Sequence, residues 1–318
     1  MNQPASTKVM PAWAARLCCL AAALIWGSSF FIMKDTLDVM PPFCLLALRF
    51  TVAALVLMGI LQRAVRTNLN RATVVRGLIL GVLVFGGYAT QTIGLTDTTP
   101  GNNAFLTGTY CVMVPFMAWA VTRVRPQLKN VMAALLCIGG IGLVSFSGDL
   151  SMRFGDALTL VGAIFFGAHI VATGCFARGR DILALTAWQM VGFAALSWLA
   201  IPVAGENPLA IAWTPGVMGA MAYLALVCTC AAYLLQNVGT TYADPGSAAL
   251  LLSMESPSGV LFSVLFAGEV LTAQVLAGFA LIFAAILVSE LPWGSLFGRK
   301  EGLGLSEESG LLAEVDRA

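Results

Sequence analysis

A chain of 318 residues, of which 59% are apolar and 10% charged, with a mean hydropathy of +0.88, has too little charge to cover the exposed faces of a soluble fold. Its formal net charge of +1 carries no basic footprint for a nucleic-acid partner. The solvent of most side chains is therefore lipid, and the expected partners are a bilayer and a small-molecule substrate.

Ten apolar segments follow one another: Leu17 to Met33, Phe43 to Leu61, Leu78 to Leu95, Asn103 to Thr122, Val131 to Ser147, Ala157 to Ala177, Ile182 to Ala204, Val217 to Val238, Gly246 to Gly268 and Thr272 to Ser289. Each is close to the ~20 residues that cross a ~30 Å hydrocarbon core. Open strands in lipid would leave N–H and C=O groups unpaired, so the segments are predicted to be helices and the fold all-α. The first could pass for a signal-peptide core behind Arg16, but its apolar run continues through Ile32 and Met33, and it is kept as helix 1. From Pro292 the chain turns polar, and residues 292–318 are expected to be a disordered cytoplasmic tail. All eight cysteines fall inside apolar segments, which favours packing roles over disulfides or zinc ligation. No metal or other cofactor is expected, and oligomeric state is not legible.

With a cytoplasmic N-terminus, 14 Lys and Arg residues fall inside (Lys8, Arg16, Arg63, Arg66, Arg71, Arg76, Arg123, Arg125, Lys129, Arg178, Arg180, Arg299, Lys300, Arg317) against two outside, Lys34 and Arg153. That bias puts both termini in the cytoplasm, with a bacterial inner membrane as the expected location.

The chain also repeats itself. Gln91 to Leu106 (QTIGLTDTTPGNNAFL) laid over Gln236 to Leu251 (QNVGTTYADPGSAALL), an offset of 145, gives seven identities in sixteen positions. The copies join helices 3 to 4 and 8 to 9, so the halves are helices 1 to 5 (residues 1–148) and 6 to 10 (residues 149–291). Five is odd, so the halves are inverted in the membrane around a central cavity. Thr99 or Asp244 as N-cap and Pro100 or Pro245 at the first helical position explain part of each copy locally. They leave the matched Gln and Gly unexplained, and the two hairpins are read as the outer and inner ends of one gated pathway.

Three ionisable groups lie within the segments: Arg49, His169 and Glu255. A charge near the bilayer centre costs roughly 2.5–3.5 kcal/mol on insertion scales, so each should face protein or water. Glu255 lies eleven residues after Asp244, roughly 16 Å along the helix axis and near the midplane. It could bind a substrate amine, exchange a proton, or pair with Arg49. Arg49 reads as a structural, pairing or snorkelling residue. His169, the one histidine, could relay protons or be held by a neighbouring helix. Pro115 and Pro257 interrupt corresponding helices of the two halves, as expected beside a site between inverted repeats. The uncharged cavity candidates are Trp26, Ser28, Ser29, Tyr88, Gln91, Asn103, Tyr110, Tyr233, Gln236, Asn237 and Ser253, set against the alternative that they bridge helices or mark interfaces. Gly77 and Gly81 form a G-x-x-x-G pair and Gly139, Gly140 and Gly142 a cluster, both suited to close helix packing.

Trp26-Gly27-Ser28-Ser29-Phe30, Leu48-Arg49-Phe50, the two Gln-x-x-Gly…Pro-Gly hairpins and Leu252-Ser253-Met254-Glu255 with Gly268-Glu269 together resemble the EamA-type branch of the drug/metabolite transporter superfamily, over about residues 15 to 290. The resemblance implies a basket of ten helices with helices 5 and 10 peripheral, and export of amino acids or related metabolites. Where many relatives carry Glu at the end of helix 4, this chain has Thr122-Arg123-Val124-Arg125, and Ser256 separates Glu255 from Pro257.

The resulting expectation is a secondary transporter working by alternating access. No Walker A run is present, and neither an H-E-x-x-H pair nor a G-x-S-x-G turn supports an enzyme. Nucleotide sugars, cations or drugs are alternative cargoes. A non-transporting receptor is a further alternative, although it leaves the repeat without a purpose.

Overall fold

The computed structural model describes residues 10–123, 125–145, 152–177, 180–242 and 251–290, and they form an all-helical membrane protein. In chain order the spans are α1 (Ala12–Leu37), α2 (Pro42–Ile60), α3 (Arg71–Asp97), α4 (Pro100–Gly108 continued by Tyr110–Thr122), α5 (Leu128–Ser145), α6 (Phe154–Phe176), α7 (Ile182–Ala204), α8 (Pro215–Ala222, Tyr223–Ala231 and Ala232–Tyr242), α9 (Glu255–Phe266) and α10 (Ala273–Glu290). Among the described residues seven of these are long and apolar enough to cross a bilayer by themselves, and α5 and α10 contain shorter apolar stretches. The Pro245 hairpin and the tail from Pro292 lie outside the described residues.

Several helices outrun their apolar segments. Hydropathy marks the hydrocarbon, whereas a helix ends at its cap. α3 starts at Arg71, well before Leu78, because the Asn70 side chain accepts the Thr73 N–H at 2.9 Å. Arg76 in its second turn rests over the Phe176 ring at 5.5 Å, outside the apolar run that marked the helix. Lys34, one of the two lysine and arginine residues predicted outside, donates to the carbonyls of Leu95, Thr96 and Thr98 at 2.7, 3.2 and 3.1 Å and closes the C-terminus of α3.

The main helix pairs obey the two-fold relation of the inverted halves. α2 packs on α7, α4 on α9 and α5 on α10, each pair its own symmetry mate. The contact of α3 with α6 is mirrored by α8 with α1, and that of α1 with α9 by α6 with α4. α5 and α10 pack on one another and on α4, at the periphery. Small residues permit these approaches. A Cβ on Gly81 would sit 2.7 Å from the Gln189 carbonyl oxygen of α7, and one on Gly140 would sit 2.8 Å from the Gly278 carbonyl oxygen of α10. An aromatic core fills the middle of the first of these seams, where Phe50 stacks on Phe193 with ring centroids 3.4 Å apart and Tyr88 meets Phe50 edge-on at 5.3 Å.

Candidate functional site

Between the two halves lies a partly open cavity. α1 contributes Trp26, Ser29 and Phe30, and its counterpart α6 contributes Phe166, His169 and Ile170. α3 contributes Tyr88 and Gln91, matched by Tyr233 and Gln236 of α8. Thr107 and Tyr110 enter from α4, and Glu255 from α9. The two glutamines of the internal repeat thus converge on one space from opposite halves.

Both central helices are interrupted at this level. In α4 the break is Thr109, whose N–H bonds the Leu106 carbonyl at 3.3 Å; its counterpart immediately before α9 is Met254, whose N–H bonds the Leu251 carbonyl at 3.2 Å. These tight i→i−3 turns are 145 residues apart, the repeat offset, and the residue following each break, Tyr110 or Glu255, lines the cavity. The prolines expected to make the breaks lie downstream of them. Pro257 sits in the first turn after the break, where its missing N–H leaves the Ser253 carbonyl to Ser256 N–H at 3.3 Å. Pro115 lies inside the continuous helix Tyr110–Thr122.

Glu255 projects its carboxylate into the cavity, and no donor among the described residues hydrogen-bonds it. The pairing with Arg49 does not form. Arg49 neither snorkels nor reaches a carboxylate: it is fully buried, with Nε donating to the Thr229 hydroxyl at 2.8 Å, Nη1 to the Met33 sulfur at 3.2 Å, and its guanidinium 5.3 Å from the centroids of both Phe50 and Tyr88. It packs behind the cavity wall.

The Thr229 that receives Arg49 belongs to a π-helical stretch, Tyr223–Ala231, in the middle of α8. There the Thr229 hydroxyl donates to the Leu224 carbonyl at 2.9 Å, and the Cys228 carbonyl accepts the Trp26 indole N–H at 2.9 Å. The wider turn thus presents one acceptor to α1 and a hydroxyl to α2. Trp26 is held edge-on to Tyr233 at 5.4 Å in consequence. No sequence signal marked this segment, since its residues Tyr-Leu-Ala-Leu-Val-Cys-Thr-Cys-Ala read as ordinary membrane helix.

Other candidates separate into four groups. Gln91 is oriented by its Nε2 donating to the Thr107 hydroxyl at 2.8 Å, and the His169 ring is held by a 2.8 Å hydrogen bond between Nε2 and Gln189 Oε1. Asn237 lies outside the central cavity, bonded to the Thr186 hydroxyl at 3.0 Å. It lines a second space that shares His169, Ile170, Tyr233 and Gln236 with the first and continues to Ile182 and Thr240, toward the face on which α1 begins. Asn103 and Ser253 are buried away from the cavity. Asn103 is fully enclosed, donating to the Gln91 carbonyl at 3.2 Å and the Thr159 hydroxyl at 2.8 Å, a helix-bridging role. Ser28 turns to a lateral groove and bonds Tyr223 at 2.8 Å. Phe30, Phe166 and Ile170 line the cavity without having been marked, because apolar residues facing a cavity and facing lipid look alike in sequence, and Thr107 was missed as well.

On the opposite face, carboxylates from one half cap helices of the other. Glu206, after α7, accepts the N–H groups of Phe43 and Cys44 at 3.1 and 2.8 Å. Asp97, ending α3, accepts Gly155 N–H at 2.9 Å at the start of α6, and Thr98 donates to Asp156. The first nine residues of α4, Pro100–Gly108, are all buried. Among the described residues the central cavity therefore continues toward the face of α1's start and is walled off from the other.

The chain is 33% identical over 268 residues to an uncharacterised transporter of Archaeoglobus fulgidus, covering 84% of this chain and 83% of that one. It is 24% identical to the uncharacterised inner membrane transporter YedA of Escherichia coli, over 85% of this chain and 88% of the relative. A solved crystal structure of a protein with 18% sequence identity superposes with a TM-score of 0.62 over 86% of this chain and 96% of the other, which speaks to the fold. The sequence profile of the EamA-like transporter family matches twice, over residues 13–146 and 153–291, once on each inverted half. With nearly the whole chain matched and a cavity where the halves meet, this protein belongs to the EamA-like transporter family.

Proposed function

We propose that this transporter is a secondary exporter of amino acids or related amine-bearing metabolites from the cytoplasm of a bacterial cell, working by alternating access about the central cavity. The observation that carries the reading is the unpartnered Glu255 carboxylate, among the described residues, in a cavity walled by Trp26, Tyr88, Tyr110, Phe166 and Tyr233. A protonated amine offers that carboxylate the counter-charge it lacks, and the aromatic faces attract the same cation. Tyrosine hydroxyls and the Gln91 and Gln236 amides offer donors to a substrate carboxylate. The two breaks beside Tyr110 and Glu255 support a substrate site near the midplane, where half-helices meet in inverted-repeat transporters. Glu255 and His169 are the proton-coupling candidates.

The same carboxylate and aromatic walls also favour a second cargo class, organic cations without a carboxylate. Solute flux into and out of liposomes holding the purified protein separates the two, using neutral, aromatic and cationic amino acids plus a cationic dye, with and without an imposed pH gradient. Saturable amino-acid flux is the expected result. Dye flux alone would replace the amino-acid reading with the cation reading, and absence of flux across the whole panel with folded protein would overturn both.

A further inference from the structure

On the face away from α1's start, the chain following α9 reaches across to the other half. Glu269 accepts the Thr99 hydroxyl at 2.6 Å through Oε1 and the Gly101 backbone N–H at 3.0 Å through Oε2. The Ser263 hydroxyl, in the last turns of α9, donates to the same Oε2. One carboxylate thus holds the end of α9 to the beginning of α4, at the positive end of the α4 dipole. The backbone is shaped for it. Gly268, at φ +66°, turns the chain so that Glu269 N–H returns to the Ser263 carbonyl at 3.3 Å. A Cβ on Gly101 would stand 2.7 Å from Oε2, so any side chain there would push the carboxylate out of its present position.

The repeat offset of 145 shows that this device is present in one copy. Gly268 corresponds to Arg123, which ends α4 with the same left-handed turn at φ +62° and with its N–H on the Trp119 carbonyl at 2.8 Å. Ser263 corresponds to Ala118, and Glu269 corresponds to Val124. The two halves end their central helices alike in conformation, yet only the second half carries the carboxylate and the hydroxyl that steadies it.

We infer that Glu269 is a one-sided latch: it fastens α9 to α4 while the cavity is closed on the face away from α1's start, it must release Thr99 and Gly101 for the cavity to open there, and its absence from the other half biases the resting protein toward the state seen here. The latch presupposes alternating access, but it does not depend on the cargo. Thr107 on α4 provides the reporter, since it lines the cavity eight residues beyond Thr99 and is 3% exposed.

The experiment uses the full chain carrying Thr107→Cys, in sealed right-side-out and inside-out vesicles, labelled with a membrane-impermeant maleimide. The parent chain, whose eight cysteines are buried or half-buried, gives the blank. Adding Glu269→Gln keeps the size and the acceptor oxygen but removes the charge, and thermal melting of the same sample checks that the variant is folded. Losing a charge-assisted hydrogen bond is expected to raise labelling from the latched face about tenfold, with labelling from the other face unchanged or lower. An unchanged rate from the latched face, or an equal rise from both faces, would overturn the latch. No transported solute enters the assay, so a wrong cargo and a wrong latch give different results.

Discussion

Glu255 shows how little a membrane needs to spend on charge when the charge has a use. Its carboxylate faces the cavity with no donor bonded to it among the described residues, and keeping it at that depth costs roughly 2.5–3.5 kcal/mol on insertion scales. Glu255→Gln removes that cost with almost no change in volume, so the melting midpoint of the purified protein is expected to hold or rise while saturable transport is lost. A lowered midpoint would mean that the carboxylate is a structural partner. Arg49 is the opposite case, a buried cation whose surroundings satisfy it in part, and Thr229→Val deletes the acceptor of its Nε while keeping side-chain shape. An unsatisfied charged donor costs about 1–3 kcal/mol or more, so this variant should melt below the parent in a thermal-shift measurement. Scarcity made these residues conspicuous in the sequence, because an ionisable group in an apolar segment stands out. Their partners were not legible: beside its neighbour Phe50, the Arg49 environment is assembled from Met33, Tyr88 and Thr229, on three other helices that sequence spacing does not relate.

At the scale of helices, hydropathy located the spans well and their ends poorly. α7 runs over Ile182–Ala204 as expected, since Asp181 caps it at the hydrocarbon boundary by accepting the N–H groups of Leu183 and Ala184 at 2.8 and 3.2 Å. α1 and α3 run on into polar sequence, α3 beginning only at its Asn70 cap. Prolines pointed to the right pair of helices, but the breaks lie upstream of them, at Thr109 and Met254, in tight i→i−3 turns whose position hydropathy does not mark. The Gly-x-x-x-Gly reading of Gly77 and Gly81 is realised as the α3–α7 contact between the halves. Gly81→Val would drive a side chain into the Gln189 backbone and force the helices apart, with an expected loss of 1–3 kcal/mol, about the usual cost of overpacking, visible as reduced thermal stability. A variant as stable as the parent would show that α3 and α7 are not closely packed in the membrane.

For the whole molecule, the seven identities of the two hairpins foreshadowed a duplication that extends through the helix pairs, the two breaks and the two left-handed helix ends at Arg123 and Gly268. The cavity itself could not be drawn from the sequence, because its walls are chosen by which side of each helix faces inward. The distribution of Lys and Arg, 14 against two, predicts that both termini lie in the cytoplasm. Fluorescent-protein and alkaline-phosphatase fusions at the C-terminus check this, with fluorescence and no phosphatase activity as the expected pair of results.

The central claim is that a small amine-bearing solute crosses through the cavity between the halves, one side at a time. Counterflow in liposomes tests it most directly: vesicles preloaded with unlabelled amino acid and holding the wild-type protein are diluted into a trace of the labelled compound, alongside vesicles holding Glu255→Gln. A transient overshoot of label with wild type, and none with the variant, is the predicted result. Uptake that rises linearly without an overshoot, equal in both preparations and in protein-free liposomes, would contradict transport of that solute through this site.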